Sequence, residues 1–307
     1  MKSITRNVLV SAILGGLVLY LWYVVHLLIP HTPIVNDVYN IFLPTCDVSK
    51  GIPKKIWTFW DSDTRPEVID RCIQSWYRTC PSYEITILTP DNLSDYVDNA
   101  TEILTLPYSD TPQRLADFIR LHVLYDHGGY WVDASILMVQ SLDVFEEHQR
   151  RTQVELVGYY LEGFTTDPSY PMIENWFFGC VPHSTFVGRW RNEFMRINLY
   201  PLAASYVDHA RTHGTCIRGM SLLMSYYLSM HVAAQIIMQH DPCLLDKCHL
   251  QKADASDGPL GYLQVVNWDS RRAVASLPTV TGPFIKFRSS ERGFITRHPE
   301  LVERIFG

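Results

Sequence analysis

Several catalytic signatures are missing from this chain, and each absence removes a class of chemistry. There is no H-E-x-x-H helix to hold zinc and no G-x-S-x-G turn to raise a nucleophilic serine, and the histidines are scattered. A metal hydrolase is therefore unsupported, and no histidine stands out as a catalytic base. No two of the seven cysteines form a C-x-x-C pair, so a structural zinc site is not expected. Their odd number leaves at least one unpaired, even if Cys243–Cys248 or Cys72–Cys80 joined in an oxidising compartment. A basic excess is lacking too. The formal net charge is -6, which argues against a nucleic-acid partner. Internal repeats and low-complexity tracts are absent.

Lys and Arg are also missing between Arg6 and Lys50, and that gap holds the longest apolar run, Val8 to Ile29. As a helix it would span ~33 Å, enough for a bilayer core. Lys2 and Arg6 precede it, so the positive-inside rule leaves the N-terminus cytosolic. A cleaved signal peptide would need a shorter run and a small-residue cleavage site. This run ends in Leu-Leu-Ile-Pro-His and favours an uncleaved type II anchor. The expected organisation is a tail (1–7), a transmembrane signal anchor (8–29), a stem (30–51) marked by Pro30, Pro33 and Pro44, and a folded domain (52–307). The sequons Asn92-Leu-Ser94 and Asn99-Ala-Thr101 fit a lumenal domain, in the Golgi or endoplasmic reticulum.

What is present centres on the stretch from Thr111 to Ser141. Leu115, Phe118, Ile119, Leu121, Val123 and Leu124 recur at helical spacing. Thr111 is placed to cap the helix with Pro112 at its first position, and Gly128-Gly129 to end it. Tyr130 to Asp133 then reads as a strand with Trp131 and Asp133 on one side. An acid at the carboxyl end of such a strand is where α/β sheets place ligand chemistry, although a turn aspartate fits the same spacing.

Upstream, Lys54–Trp60 and Tyr83–Leu88 read as strands around a helix, Glu67–Thr79. Downstream, Glu155–Leu161, Asn175–Gly179 and Pro283–Phe287 read as strands. Thr185–Leu199 and Gly219–Gln239 read as helices, and Gln251–Asp269 as loop. Repeated βα steps before the key acid predict an α/β fold with a nucleotide-binding sheet flanked by helices.

The segment R-x-x-x-L-Y-x-x-G-G-Y-W-V-D-A-S resembles the core of sugar transferases with a D-x-D motif. These are the yeast-type initiating mannosyltransferases and, more closely, the capsular polysaccharide synthesis proteins. Asp117, Arg120, Gly128, Gly129, Trp131 and Asp133 match that pattern. Ile52–Trp60, Cys72–Trp76, Pro81–Leu88, Asn175–Phe186 and Gly282–Phe287 extend the likeness over most of the chain. One position departs: the second acid of D-x-D, which in those proteins usually touches a metal, is Ser135 here.

The resemblance implies a GT-A-like mixed sheet, a nucleotide diphosphate sugar donor and a glycan or glycoconjugate acceptor. It also implies that Asp117 binds donor sugar hydroxyls, that Arg120 lies against the donor, and that Gly129 belongs to the donor side. Trp57 or Trp60 would stack on the base or belong to the core. Asn175 would bond a sugar hydroxyl or satisfy backbone groups. Charge growing on the departing diphosphate is met by a divalent cation, by Lys or Arg, or by both. Mg²⁺ needs only one or two carboxylates beside substrate phosphates. Asp133 is therefore the expected anchor for Mn²⁺ or Mg²⁺, with Ser135 and Glu291 completing the shell. Lys286 is the candidate for stabilising the diphosphate; a surface lysine fits it equally. The expected function is a membrane-anchored hexosyltransferase. The alternative is a degenerate transferase that binds sugar or nucleotide without turnover.

Overall fold

The computed structural model describes residues 46–277 and 282–307. The apolar run 8–29 and stem residues 30–45 lie outside the described residues. Among those described, no helix is long and apolar enough to cross a membrane.

The chain runs β1 (Lys55–Phe59), α1 (Glu67–Thr79), β2 (Glu84–Leu88), α2 (Ala100–Leu104), α3 (Pro112–His127), β3 (Gly129–Val132), β4 (Ile136–Met138), α4 (Asp143–Thr152), β5 (Leu156–Tyr160) and β6 (Ile173–Cys180). It continues α5 (Thr185–Met195), α6 (Ala203–Thr212), α7 (Leu222–Tyr227), α8 (Ser229–His240), β7 (Cys248–Lys252), α9 (Gly261–Gln264), α10 (Ser270–Ser276), β8 (Phe284–Lys286), α11 (Ser289–Thr296) and α12 (Pro299–Phe306). Six strands form one sheet in the order β2-β1-β3-β6-β5-β7, and β4 pairs with β8 in a separate two-stranded sheet. The large sheet is mixed. β1 lies parallel to β2 and β3, β6 runs antiparallel to β3 and β5, and β7 is parallel to β5. The expected α/β sheet flanked by helices is thus present.

Local chemistry explains the two central elements. Thr111 accepts a hydrogen bond from the Arg114 amide and caps α3, with Pro112 where its missing N–H costs nothing. The helix buries Leu115, Phe118, Ile119, Leu121, Val123 and Leu124. It ends at Gly128 (φ 65°) and β3 starts at Gly129 (φ 96°), conformations that side-chain-bearing residues rarely adopt. There is no linker between helix and strand. A Cβ on Gly129 would stand 2.7 Å from the Lys55 carbonyl oxygen, so β1 and β3 approach this closely only over a glycine.

α1 covers the other side of the strand ends with Val68, Ile69, Cys72, Ile73 and Trp76. The Trp76 indole donates to the Ile136 carbonyl at 2.7 Å, and the Met138 amide donates to Ser75 Oγ at 2.9 Å, which ties the small sheet to this helix.

Some expectations are corrected. All seven cysteines are free. Cys72 and Cys80 are eight residues apart along a helix, ~12 Å by helical rise and beyond disulfide reach. Cys243 and Cys248 are held apart by the 3-10 helix Pro242–Lys247. The segment Gly219–Gln239 is two helices broken at Leu228, and part of the presumed loop from Gln251 belongs to β7 and α9.

Because Gly129 needs both its positive φ and its missing Cβ, Gly129→Ala should destabilise the domain by about 2 kcal/mol. That corresponds to a fall of roughly 4–8 °C in Tm for a domain of this size. Gly163→Ala, where an added Cβ meets nothing within 4 Å, should leave Tm unchanged in the same thermal scan.

Candidate functional site

A cavity of about 290 Å³ opens beyond the carboxyl ends of β1 and β3. That is the position where open α/β sheets bind ligands, and the volume is at the lower end for small-molecule sites. Asp117, Arg120, Trp131, Asp133, Ser135 and Asn175 form one side of it. Thr58 of β1, Trp60 and Asp61 after it, Arg114 at the start of α3, Tyr227 and Leu228 at the α7–α8 break, and Arg292 of α11 form the other.

Three separate stretches build the floor. Asp117 and Arg120 are one turn apart on α3, with Arg120 Nη2 3.1 Å from Asp117 Oδ1 and 3.7 Å from Asp133 Oδ1. The Arg120 guanidinium lies 4.8 Å over the Trp131 ring and donates to the Asn175 carbonyl. With 5% of its side chain exposed, Arg120 is a buried hub of the floor. Asn175, on β6, donates from Nδ2 to Asp117 Oδ1 at 2.9 Å. Asp133 follows β3, and its amide donates to the Trp176 carbonyl at 2.9 Å, so β6 fixes its backbone.

Both oxygens of Asp133 have a partner. Oδ1 accepts from Trp131 Nε1 at 3.0 Å and Oδ2 from Lys286 Nζ at 2.6 Å. Lys286 also donates to Ser135 Oγ at 2.9 Å. Pairing of β4 with β8 sets Lys286 opposite Ile136, which brings its side chain to the Asp-Ala-Ser segment. Burial acts to raise the Asp133 carboxyl, but Lys286 and Arg120 outweigh it and hold its pKa below the ordinary range. Burial lowers the Lys286 pKa, with Asp133 opposing. Burial raises the Asp117 pKa against the pull of Arg120.

The structure thus brings Asp117, Arg120, Asp133, Ser135, Asn175 and Lys286 together. It places three expected residues elsewhere, Trp57, Gly129 and Glu291. Trp57 is 1% exposed, its indole donating to the Gly128 carbonyl at 2.9 Å, and it packs in the core. The half-buried Trp60 is the tryptophan of β1's end that reaches the cavity. Gly129 shapes the β1–β3 approach and is buried. Glu291 is fully buried. Its oxygens accept from the Arg288 amide (2.8 Å) and guanidinium (2.8 Å) and from the Ser290 hydroxyl (2.8 Å), which caps α11.

The donor set does not fit the expected Mn²⁺ or Mg²⁺. A divalent cation takes several free oxygen ligands. Here the Lys286 ammonium occupies the place between Asp133 and Ser135 where such a cation would sit, and Glu291 is committed to a helix cap. Among the described residues no group of three His, Cys, Asp or Glu is clustered to hold a metal.

Sequence reasoning missed Arg114, Arg292 and Tyr227. Arg292 directly follows the glutamate that was singled out. Tyr227 was hidden by reading α7 and α8 as one helix, although Ser221, which caps α7 by accepting from the Met224 amide, signals a separate start.

Glu291 is deeply tied in, and its pKa is pushed down to about 2: burial raises it, and the bonds from Arg288, Ser270 and Ser290 more than reverse this. A lowered folded pKa gives stability that is present above the unfolded value and lost as pH falls toward the folded one. Glu291→Gln should therefore flatten the acid limb of stability between about pH 4.5 and pH 2, removing up to about 3 kcal/mol of pH dependence. Urea unfolding across that range checks it.

Comparison with known proteins bears on the same region. Residues 36–245 match the family model described as "Capsular polysaccharide synthesis protein". The glycosyltransferase afumC of Aspergillus fumigatus is 29% identical over 109 residues, covering 31% of this chain and 28% of that protein. Inositol phosphoceramide mannosyltransferase 3 of Schizosaccharomyces pombe is 26% identical over 135 residues, covering 42% and 38%. The matched part is well under half the length of these relatives. A solved structure, the PaToxG glycosyltransferase, aligns over 84% of this chain and 90% of its own at 12% identity, with a TM-score of 0.41, too low to carry an argument. The family match covers more than half of the chain and includes α3, β3 and the floor residues from Asp117 to Asn175. This chain belongs to the capsular polysaccharide synthesis protein family.

Proposed function

We propose that the protein is a glycosyltransferase that moves a hexose-type sugar from a nucleotide diphosphate sugar to a hydroxyl of a glycan or glycoconjugate, on a GT-A-type fold. One observation carries this reading. Two acids, an arginine and an asparagine from three distant stretches converge on the floor of a single cavity at the carboxyl ends of β1 and β3.

The chemistry assigns the parts. The bond from the anomeric carbon to the phosphate oxygen breaks, and its electron pair leaves with the diphosphate. The acceptor oxygen bonds that carbon and gives up its proton to the departing diphosphate. Arg114, which is paired with Asp110, and Arg292 line the cavity and offer positive charge to the diphosphate. Asp117, held by Arg120 and Asn175, presents a carboxylate to sugar hydroxyls. Trp60 offers a face on which a base can stack. The names of the matched relatives, one a mannosyltransferase, support a sugar donor. Anchoring through residues 8–29, with the domain in the Golgi or endoplasmic reticulum lumen, is part of the same proposal and rests on sequence alone.

A degenerate binding protein has one observation in its favour, the pairing of Asp133 with Lys286 in place of a second acid at position 135. The test is a screen of nucleotide sugars for release of free nucleotide by the full chain in detergent, with a hydroxyl acceptor present. One donor should be turned over. Asp117→Asn should lower kcat/KM about 100-fold, equal to about 2.7 kcal/mol of transition-state binding. Saturable nucleotide binding without release from any donor would establish the degenerate reading.

A further inference from the structure

The Asp133-Ala134-Ser135 segment and Lys286 form a closed arrangement that the reaction as described does not use. The Lys286 ammonium sits 2.6 Å from Asp133 Oδ2 and 2.9 Å from Ser135 Oγ, bridging the two side chains. The arrangement is built from several directions. The Phe287 amide donates to the Ser135 carbonyl at 3.0 Å, Tyr262 Oη donates to the Lys286 carbonyl at 2.9 Å, and the Lys286 amide donates to the Pro259 carbonyl at 3.1 Å. Lys286 is 8% exposed, so its charge is fixed within the fold.

Charge counting makes the position meaningful. Two carboxylates with a divalent cation between them sum to zero. One carboxylate, one hydroxyl and one ammonium also sum to zero. Relative to a D-x-D pair, Ser135 removes one negative charge, and Lys286 supplies one positive charge at the position between the two side chains. A divalent cation entering here would have to displace a buried ammonium from its carboxylate, and leaving that ammonium unpaired costs several kcal/mol.

We propose that Lys286 is a built-in replacement for the divalent cation, so that this site takes its diphosphate donor without metal. The proposal rests on the donor reading above for the identity of the ligand, but not for the behaviour of the cation. Lys286 acts through Asp133 and Ser135, as a positioning residue that keeps the cavity floor neutral. The diphosphate is then left to Arg114 and Arg292, which face the cavity.

The test uses the full chain in detergent with two readouts. Free Mn²⁺ is followed by electron paramagnetic resonance, and binding of UDP and GDP by tryptophan fluorescence in EDTA and in Mn²⁺. The wild type should leave Mn²⁺ free up to about 1 mM, and nucleotide affinity should differ by less than about twofold between EDTA and Mn²⁺. The double variant Ser135→Asp/Lys286→Ala, which restores two carboxylates and removes the ammonium, should take up one Mn²⁺ and bind nucleotide at least about tenfold tighter with it. Stoichiometric Mn²⁺ uptake by the wild type, or an affinity about tenfold weaker in EDTA, overturns the proposal. If the double variant fails to fold, the wild-type measurements alone decide. Mn²⁺ left free with neither nucleotide bound upholds the cation replacement and counts against the donor reading instead.

Discussion

The ion pair between Asp133 and Lys286 joins parts of the chain that are 153 residues apart and belong to different sheets. Asp133 directly follows β3 of the large sheet, and Lys286 ends β8 of the small one. A pair of this kind gains little net stability over well-packed apolar residues, because both charges leave water. Losing one partner is a different matter, since the other charge then stays buried alone at a cost of about 3–5 kcal/mol. The pair therefore acts mainly as a specification. It fixes how the small sheet closes against the large one, and Arg120 extends it to Asp117 and Asn175 as a line of alternating charges. Every acid on the cavity floor is held by a cation or an amide of the same floor.

Much of this was readable from residue order. Thr111-Pro112 and Gly128-Gly129 bracket α3 because capping and positive φ are local chemistry, and the alternation of β3 places the Trp131 indole on Asp133 at 3.0 Å. Asp117, Arg120 and Asp133 were within reach of pattern matching for the same reason. Other features depend on tertiary contacts that no local pattern encodes. Trp57 and Trp60 look alike in sequence. Burial separates them, because strand alternation sends one into the core and the strand end leaves the other at the cavity. Lys286 was singled out as a cation among apolar residues, but its partner was set by the β4–β8 register. Glu291 was visible as an acid in the right region, and its use as a helix cap depends on how Arg288 and Ser270 fold back onto it.

The break at Leu228 shows the same limit from the other side. The apolar periodicity of Gly219–Gln239 is real, and Met230 and Met238 are buried as their spacing suggests. Periodicity does not register a one-residue interruption, yet that interruption carries Tyr227 and Leu228 to the cavity. Of the residues that sequence reasoning overlooked, Tyr227 and Arg292 stand on short helices and Arg114 in the first turn of α3.

The direct passage from α3 into β3 through two glycines has a consequence for adaptation. Asp117, Arg120 and Asp133 stand on a helix and strand with no intervening loop, and the strand is pinned at 2.9 Å to β6. These groups form one inelastic plate: a ligand of a different shape cannot be met by sliding one of them against the others. Accommodation falls to the opposite wall, where the exposed Tyr227 and the half-buried Arg292 stand on short, separately rooted helices. Divergence in substrate choice within this architecture should therefore accumulate on that wall, while the plate stays constant.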